Sequence, residues 1–299
     1  MRRITERYRP YCIQWFVGIR RRKEGILSVK GCFDLLENPK DGWLADPFLF
    51  EFDGDTYIFA EKWSYIKQKG EIVFSKYLSG CSLKWSTIIE EDYHLSYPYI
   101  WKDKNGIHIM PESCGANQVS IYTAIEFPYS WKRELSYSLG PVADSTMFWP
   151  KTNQSERWVF TYGCEGIWKD KLIRYKLNGD MIGARRMITR NKKISRPAGK
   201  FIVEGSTWYR VAQNGLENYG TGLVFLQIDE CSEENYRETI ALERDFREMK
   251  VNKQLNVIGM HTYNRVNQWE VVDFRIKKFN LINMLYFVKK YRKFSIGMR

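Results

Sequence analysis

Five short anchors in this 299-residue chain carry side chains able to do chemistry: Asp46, Tyr97, Asp144, Arg196 and His261. Each opens a stretch of the same kind: an apolar strand, a turn, then a second, aromatic-rich strand. Those second strands close on Glu61 and Glu112 in the first two stretches, and on Arg210 and Gln213 in the fourth. Two or three carboxylates gathered in one cavity suit glycosyl chemistry. One takes a proton from an attacking hydroxyl, and another protonates or stabilises the departing group. Asp46, Asp144 and Glu112 are the candidates for those catalytic roles. Glu61, Tyr97, Arg196, Arg210, Gln213 and His261 are expected to bind substrate around them. Arg210 and Gln213 are read as sharing one strand face and acting jointly. The competing reading of these groups is structural: Asp side chains bonding nearby amides, Arg196 neutralising buried acids, His261 packing.

Groups so far apart in sequence meet only if the fold brings the strand starts together. The anchors lie roughly 50 to 65 residues apart, near the longer propeller repeats, and each interval has room for the four strands of one blade. Asp53-Gly54, Asn105-Gly106 and Glu204-Gly205 supply the positive φ that tight hairpins need. The expected fold is therefore all-β, a five-bladed β-propeller over residues 36–275, whose inner strands begin near one axis. A β-sandwich with accidentally similar hairpins is the alternative. Residues 1–35 are expected to form a basic N-terminal segment and residues 276–299 a basic amphipathic C-terminal tail. In that tail Leu281, Ile282, Leu285, Tyr286 and Val288 recur at helical spacing. Such a helix could close the propeller or lie on a membrane.

Composition narrows the function. The net charge of +12 divides unevenly: +6 in residues 1–24, +8 in residues 275–299, and −2 between them. Basic ends on a near-neutral body point to an anionic membrane surface or a lipid-linked substrate, and away from nucleic acid. The aromatic share of 16% suits strands and sugar stacking. Six scattered cysteines show no paired spacing, no apolar run is long enough to span a bilayer, and the start of the chain lacks a signal-peptide core. A cytoplasmic protein, peripheral on the inner membrane, is expected. Asp53-Gly54-Asp55 reads as a hairpin turn and not as a metal–nucleotide motif, and no metal or cofactor is expected.

An ordered series of short motifs carries a resemblance. It runs through Ala45-Asp46-Pro47-Phe48, Leu95-Ser96-Tyr97-Pro98, Met110-Pro111-Glu112, Ala143-Asp144-Ser145, Arg196-Pro197-Ala198-Gly199, Tyr209-Arg210-Val211-Ala212-Gln213 and Tyr219-Gly220. Over about residues 40 to 275 the chain resembles the N-terminal propeller-like domain of plant glucosamine inositolphosphorylceramide transferases, with similar domains in bacterial polysaccharide gene clusters. The resemblance implies carbohydrate work, and Tyr219 joins the expected substrate-binding set. In the plant proteins the recognised transferase domain is a separate, C-terminal one, and no counterpart of it is expected within these 299 residues.

The chain also resembles, more distantly, the five-bladed furanosidase-type hydrolases of glycoside hydrolase family 43. Asp46-Pro47 matches their general base and Asp144 their orienting acid. Their proton-donating Glu, at the start of the fourth blade, is replaced here by Arg196. A guanidinium does not donate a proton at neutral pH, but its planar fork grips a phosphate. That exchange favours a glycosyltransferase with a phosphorylated sugar donor and a glycan or lipid-linked acceptor. The alternatives are a non-catalytic carbohydrate-binding module and a hydrolase using Glu112 or Glu61 as its acid.

Overall fold

The computed structural model describes residues 11–149, 157–178, 181–217 and 219–279. They form five antiparallel sheets: three are simple four-stranded meanders, that of the fourth blade has its inner strand split in two, and that of the fifth joins strands from both ends of the described chain. The β-sandwich alternative is thereby excluded, and the fold is a five-bladed β-propeller. Blades one to four follow in chain order over 42–89, 96–137, 142–189 and 196–245. Apolar side chains of neighbouring blades interlock to form the core. Phe48, Phe59, Ile100, Ile109 and Val159 pack as one cluster across blades one to three.

The fifth blade corrects the expected domain boundary. Its two inner strands, Val257–Val266 and Trp269–Phe279, come from the end of the propeller sequence. Its two outer strands, Tyr11–Arg21 and Asp34–Leu35, come from the segment expected to lie outside it. Tyr11 pairs with Phe279 and Arg21 with Trp269, so the two ends of the described chain fasten the ring. Val17 and Ile19 supply the inward face, packing with Leu44 of blade one and Val271. Arg20, counted among the basic N-terminal charges, is buried and bonds Glu270 at 2.7 Å. Of the expected C-terminal tail, residues 276–279 continue this blade as strand, and the helix expected beyond them falls outside the described residues.

One local device recurs at the anchors. Inner-strand register slips between Ala45 and Phe48, Ser96 and Tyr99, Ala143 and Thr146, and Met260 and Tyr263. Such bulges bend a strand and re-aim its side chains. Three anchors adopt the left-handed region, with φ of 48° at Asp46, 45° at Tyr97 and 51° at Asp144. In blade four the strand breaks instead: Arg196-Pro197 pair with Gln213 and Ala212, and pairing resumes at Ile202. Gly199 within the break has a φ of +139°, and a Cβ there would sit 1.9 Å from the Tyr263 carbonyl oxygen. The close approach lets Tyr263 N–H bond the Ala198 carbonyl at 2.8 Å, tying blade five to blade four near the axis.

Candidate active site

The bulges, and in blade four the strand break, bring Asp46, Asp144, His261 and Arg196 to one end of the axis. Residues at or near the ends of the second strands form the next layer: Glu61 opposite Ala45, Glu112 opposite Ser96, Tyr162 opposite Ala143 and Gln213 opposite Arg196. A cavity of about 250 Å³ is lined by Asp46, Glu61, Glu112, Arg196, Tyr219 and His261, with Trp15, Trp43, Trp63 and His94 as its walls. A second cavity, of about 190 Å³, adjoins it beyond Arg196 and Tyr219 and is lined by Tyr162, Lys192, Gln213 and Asn214 among others.

Asp46 is held from three sides. Its carboxylate accepts from the Tyr97 N–H at 3.2 Å and the Thr262 hydroxyl at 2.6 Å, and lies 3.3 Å from His261 Nε2. The other imidazole nitrogen, Nδ1, is 2.7 Å from Asp273 Oδ2, out of line for a hydrogen bond. Asp273 also receives the N–H groups of Asp46, His261 and Thr262. Asp144 accepts from Arg196 Nε and, at 3.0 Å, from Gln213 Nε2, while its N–H donates to Glu112 at 3.3 Å. The Arg196 guanidinium lies between the rings of Tyr162 and Tyr219, 5.4 and 5.0 Å from their centres.

Five acids in so small a space cannot all ionise. Burial first, then neighbouring Asp46, Glu112 and other carboxylates push Glu61 well above the usual carboxylate range. Burial and Asp144 do the same to Glu112, against the pull of Arg196. Burial also raises Asp46, to about 6, with His261 acting in the opposite direction. For His261, burial disfavours the charged ring but Asp273 and Asp46 outweigh it, and its pKa rises. The site thus favours the protonated forms of Glu61 and Glu112 and the charged ring of His261, beside the Asp144–Arg196 ion pair. Asp46, His261 and Asp273 offer ligand atoms all within 4.8 Å of one another, a spacing that could take a cation.

Two expected substrate-binding residues lie elsewhere. Arg210 is buried inside blade four, where its guanidinium grips Glu238 at 2.6 and 2.8 Å. It stands three positions from Gln213, and an odd separation puts two side chains on opposite faces of a strand. Tyr97 is fully buried, with its hydroxyl 2.8 Å from Thr146 Oγ1 and bonded to the backbone of Gly199. Its ring crosses the axis beneath the cavity and joins blades two, three and four; only its N–H reaches Asp46.

The cavity also uses residues outside the expected set. Trp15 lies against His261, with ring centres 4.1 Å apart and planes tilted by 32°, and Trp43 lies parallel to Trp63 at 5.8 Å. Trp15 reaches the site only because the N-terminal strand closes the ring, a pairing with no local signal. Asp273 did leave one: it faces the bulge, where the first three blades carry Ala60, Pro111 and Thr161.

The five-bladed propeller is a fold this chain shares with solved structures of carbohydrate-active enzymes. An α-L-arabinofuranosidase from Podospora anserina superposes with a TM-score of 0.59 at 9% identity, covering 81% of this chain and 94% of that one. A GH43_1 enzyme from Xanthomonas citri, complexed with xylotriose, gives 0.55 at 10% identity, covering 80% and 88%. At such identities the likeness is one of fold. In sequence, residues 31–272 match the family described as glucosamine inositolphosphorylceramide transferase 1, N-terminal, and the chain belongs to that family. The protein named glucosamine inositolphosphorylceramide transferase 1 in Arabidopsis thaliana is 30% identical over 247 residues, 76% of this chain and 30% of the relative. Its namesake in Oryza sativa subsp. indica is 29% identical over 209 residues, 66% of this chain and 27% of the relative. The chain thus spans under a third of the length of these relatives.

Proposed function

We propose that this protein is a glycosyltransferase of cell-surface polysaccharide assembly, working at the cytoplasmic membrane face on a phosphorylated sugar donor. One observation carries the reading: Arg196 occupies the start of the fourth blade, in the same cavity as Asp46, Glu61 and Glu112. The relatives' names, which are those of transferases, agree with it. The acceptor hydroxyl gives its proton to Asp46 as its oxygen bonds to the anomeric carbon. The bond from that carbon to the donor phosphate breaks, and its electron pair leaves on the phosphate oxygen. Arg196 offsets the charge that collects there, so no strong acid is needed. The raised pKa values of Glu61 and Glu112 favour their neutral forms, which would spare an anionic donor the repulsion of two more carboxylates and could donate hydrogen bonds to it. The tryptophan walls offer flat apolar faces to the sugar ring.

The test is incubation with nucleotide-linked and polyprenyl-phosphate-linked sugars and a glycan acceptor, read by mass spectrometry. Transfer with release of the phosphate-bearing group is expected. Arg196→Lys keeps a cation beside Asp144 but loses the fork, and should raise the donor KM roughly tenfold, the effect of one charge-assisted hydrogen bond. An unchanged KM would remove Arg196 from donor binding. The raised pKa of Glu112 favours a second reading, hydrolysis with Glu112 as acid. Cleavage of aryl furanosides, with no transfer from any phosphorylated donor, would select it.

The rate should also follow pH in a defined way. Asp46 acts as base only when ionised, so kcat/KM should climb with a midpoint near its pKa of about 6. Stability runs the other way. Asp46 ionises in the unfolded chain near pH 3.8 and in the folded one near 6, so its contribution falls with rising pH across that window. Thr262→Val deletes a hydrogen bond that favours the carboxylate and should move the rate limb to higher pH. A limb that stays in place would show that another group controls it.

A further inference from the structure

We infer that the end of the propeller carrying the cavity mouth is a docking surface for an anionic lipid bilayer. The inference does not depend on the glycosyl-transfer reading. Three observations converge on this one face.

First, the loops that follow the second strands of blades one, three and four lie on the mouth side, and their tips carry exposed aliphatic residues. Ile66 is 85% exposed, Ile167 77% and Leu216 59%. Tyr11 and Phe279, about half exposed, stand at the same end of blade five.

Second, a surface hollow of about 420 Å³ lies on this face between blades five and one, lined by Lys40, Lys253 and Lys278 with Tyr65. All three lysines are exposed, and Glu37 is the one carboxylate in the lining. Three ammonium groups around one hollow match the charge of a lipid phosphate.

Third, the described chain enters at Tyr11 and leaves at Phe279, paired neighbours on the mouth side. Residues 1–10 carry a net charge of +3 and residues 280–299 a net charge of +5. Both basic segments therefore attach to the face that bears the hollow and the aliphatic tips. Aliphatic residues entering the interface between lysines that hold headgroups are the chemistry of peripheral membrane attachment. In this orientation the cavity opens toward the lipid.

The experiment is co-sedimentation of the full chain with vesicles of phosphatidylcholine, with and without phosphatidylglycerol, across a salt series. Binding should require phosphatidylglycerol and weaken with salt. Replacing Lys40, Lys253 and Lys278 together by Gln should weaken it about fivefold per lysine. Ile66→Glu with Ile167→Glu and Leu216→Glu should abolish it. Ile125→Glu with Met181→Glu, at exposed positions on the opposite face, should bind like the parent. Undiminished binding by both mouth-face variants would overturn the proposal, as would equal loss in the opposite-face variant or no binding to either vesicle.

Discussion

Replacing Asp46 with Asn is expected to lower turnover by about 10²- to 10⁴-fold, the usual contribution of a positioned general base, while leaving the protein folded. The amide has nearly the shape of the carboxylate. Its oxygen can still accept from the Tyr97 N–H, and its NH₂ can donate to the Thr262 hydroxyl, which turns to accept, while His261 Nε2, facing the same atom, gives up its proton. What the amide cannot do is take a proton. Stability should hold for a further reason: Asp46 is one of five acids crowded at the axis, and its charge raises the pKa of both Glu61 and Glu112. Removing it relieves repulsion as well as leaving His261 with Asp273 alone. The pair of measurements is turnover and thermal unfolding on the same preparation. Parent-like turnover would take Asp46 out of the mechanism. Loss of turnover together with loss of the folded state would make it structural.

Much of this site was legible because the fold repeats. A bulge needs a residue that tolerates an irregular backbone, followed by one that ends regular pairing. Asp46-Pro47, Tyr97-Pro98, Asp144-Ser145 and His261-Thr262 announce that need, and Arg196-Pro197 of the broken fourth strand fills the long gap between the last two. Glu61, Glu112 and Gln213 were legible as polar residues closing apolar runs, although the strand of Glu61 continues to Ser64. What a repeat does not encode is the direction of one side chain at a bent strand. Tyr97 occupies an anchor position, yet its ring turns across the axis toward Thr146 and Gly199. Ring closure is equally invisible. Trp15 meets His261 through a strand pairing that spans nearly the whole described chain, and its local sequence is that of any amphipathic strand.

Arg210 shows where chemistry-bearing residues mislead, and it yields the largest stability effect expected. Arg210→Ala should destabilise the fold by about 3–5 kcal/mol, since it leaves Glu238 charged and unpaired in a dry environment. The two side chains are only 1% and 7% exposed. Arg210 further donates to the Ile194 carbonyl at 2.8 Å, and Tyr236 donates to Glu238 at 2.6 Å, so the pair links the second strand of blade four to its outermost one. A substrate-binding arginine would behave otherwise, raising KM with little change in unfolding. The discriminating variant is the double replacement Arg210→Met with Glu238→Leu, which removes both charges and keeps the volume. Apolar exchange of a buried ion pair is commonly neutral or stabilising. The double variant should therefore recover most of the stability lost in Arg210→Ala, measured by denaturant unfolding, with parent-like turnover. If it instead folds well and loses turnover as Asp46→Asn does, Arg210 belongs to the site after all, acting through the strand that places Gln213 against Asp144.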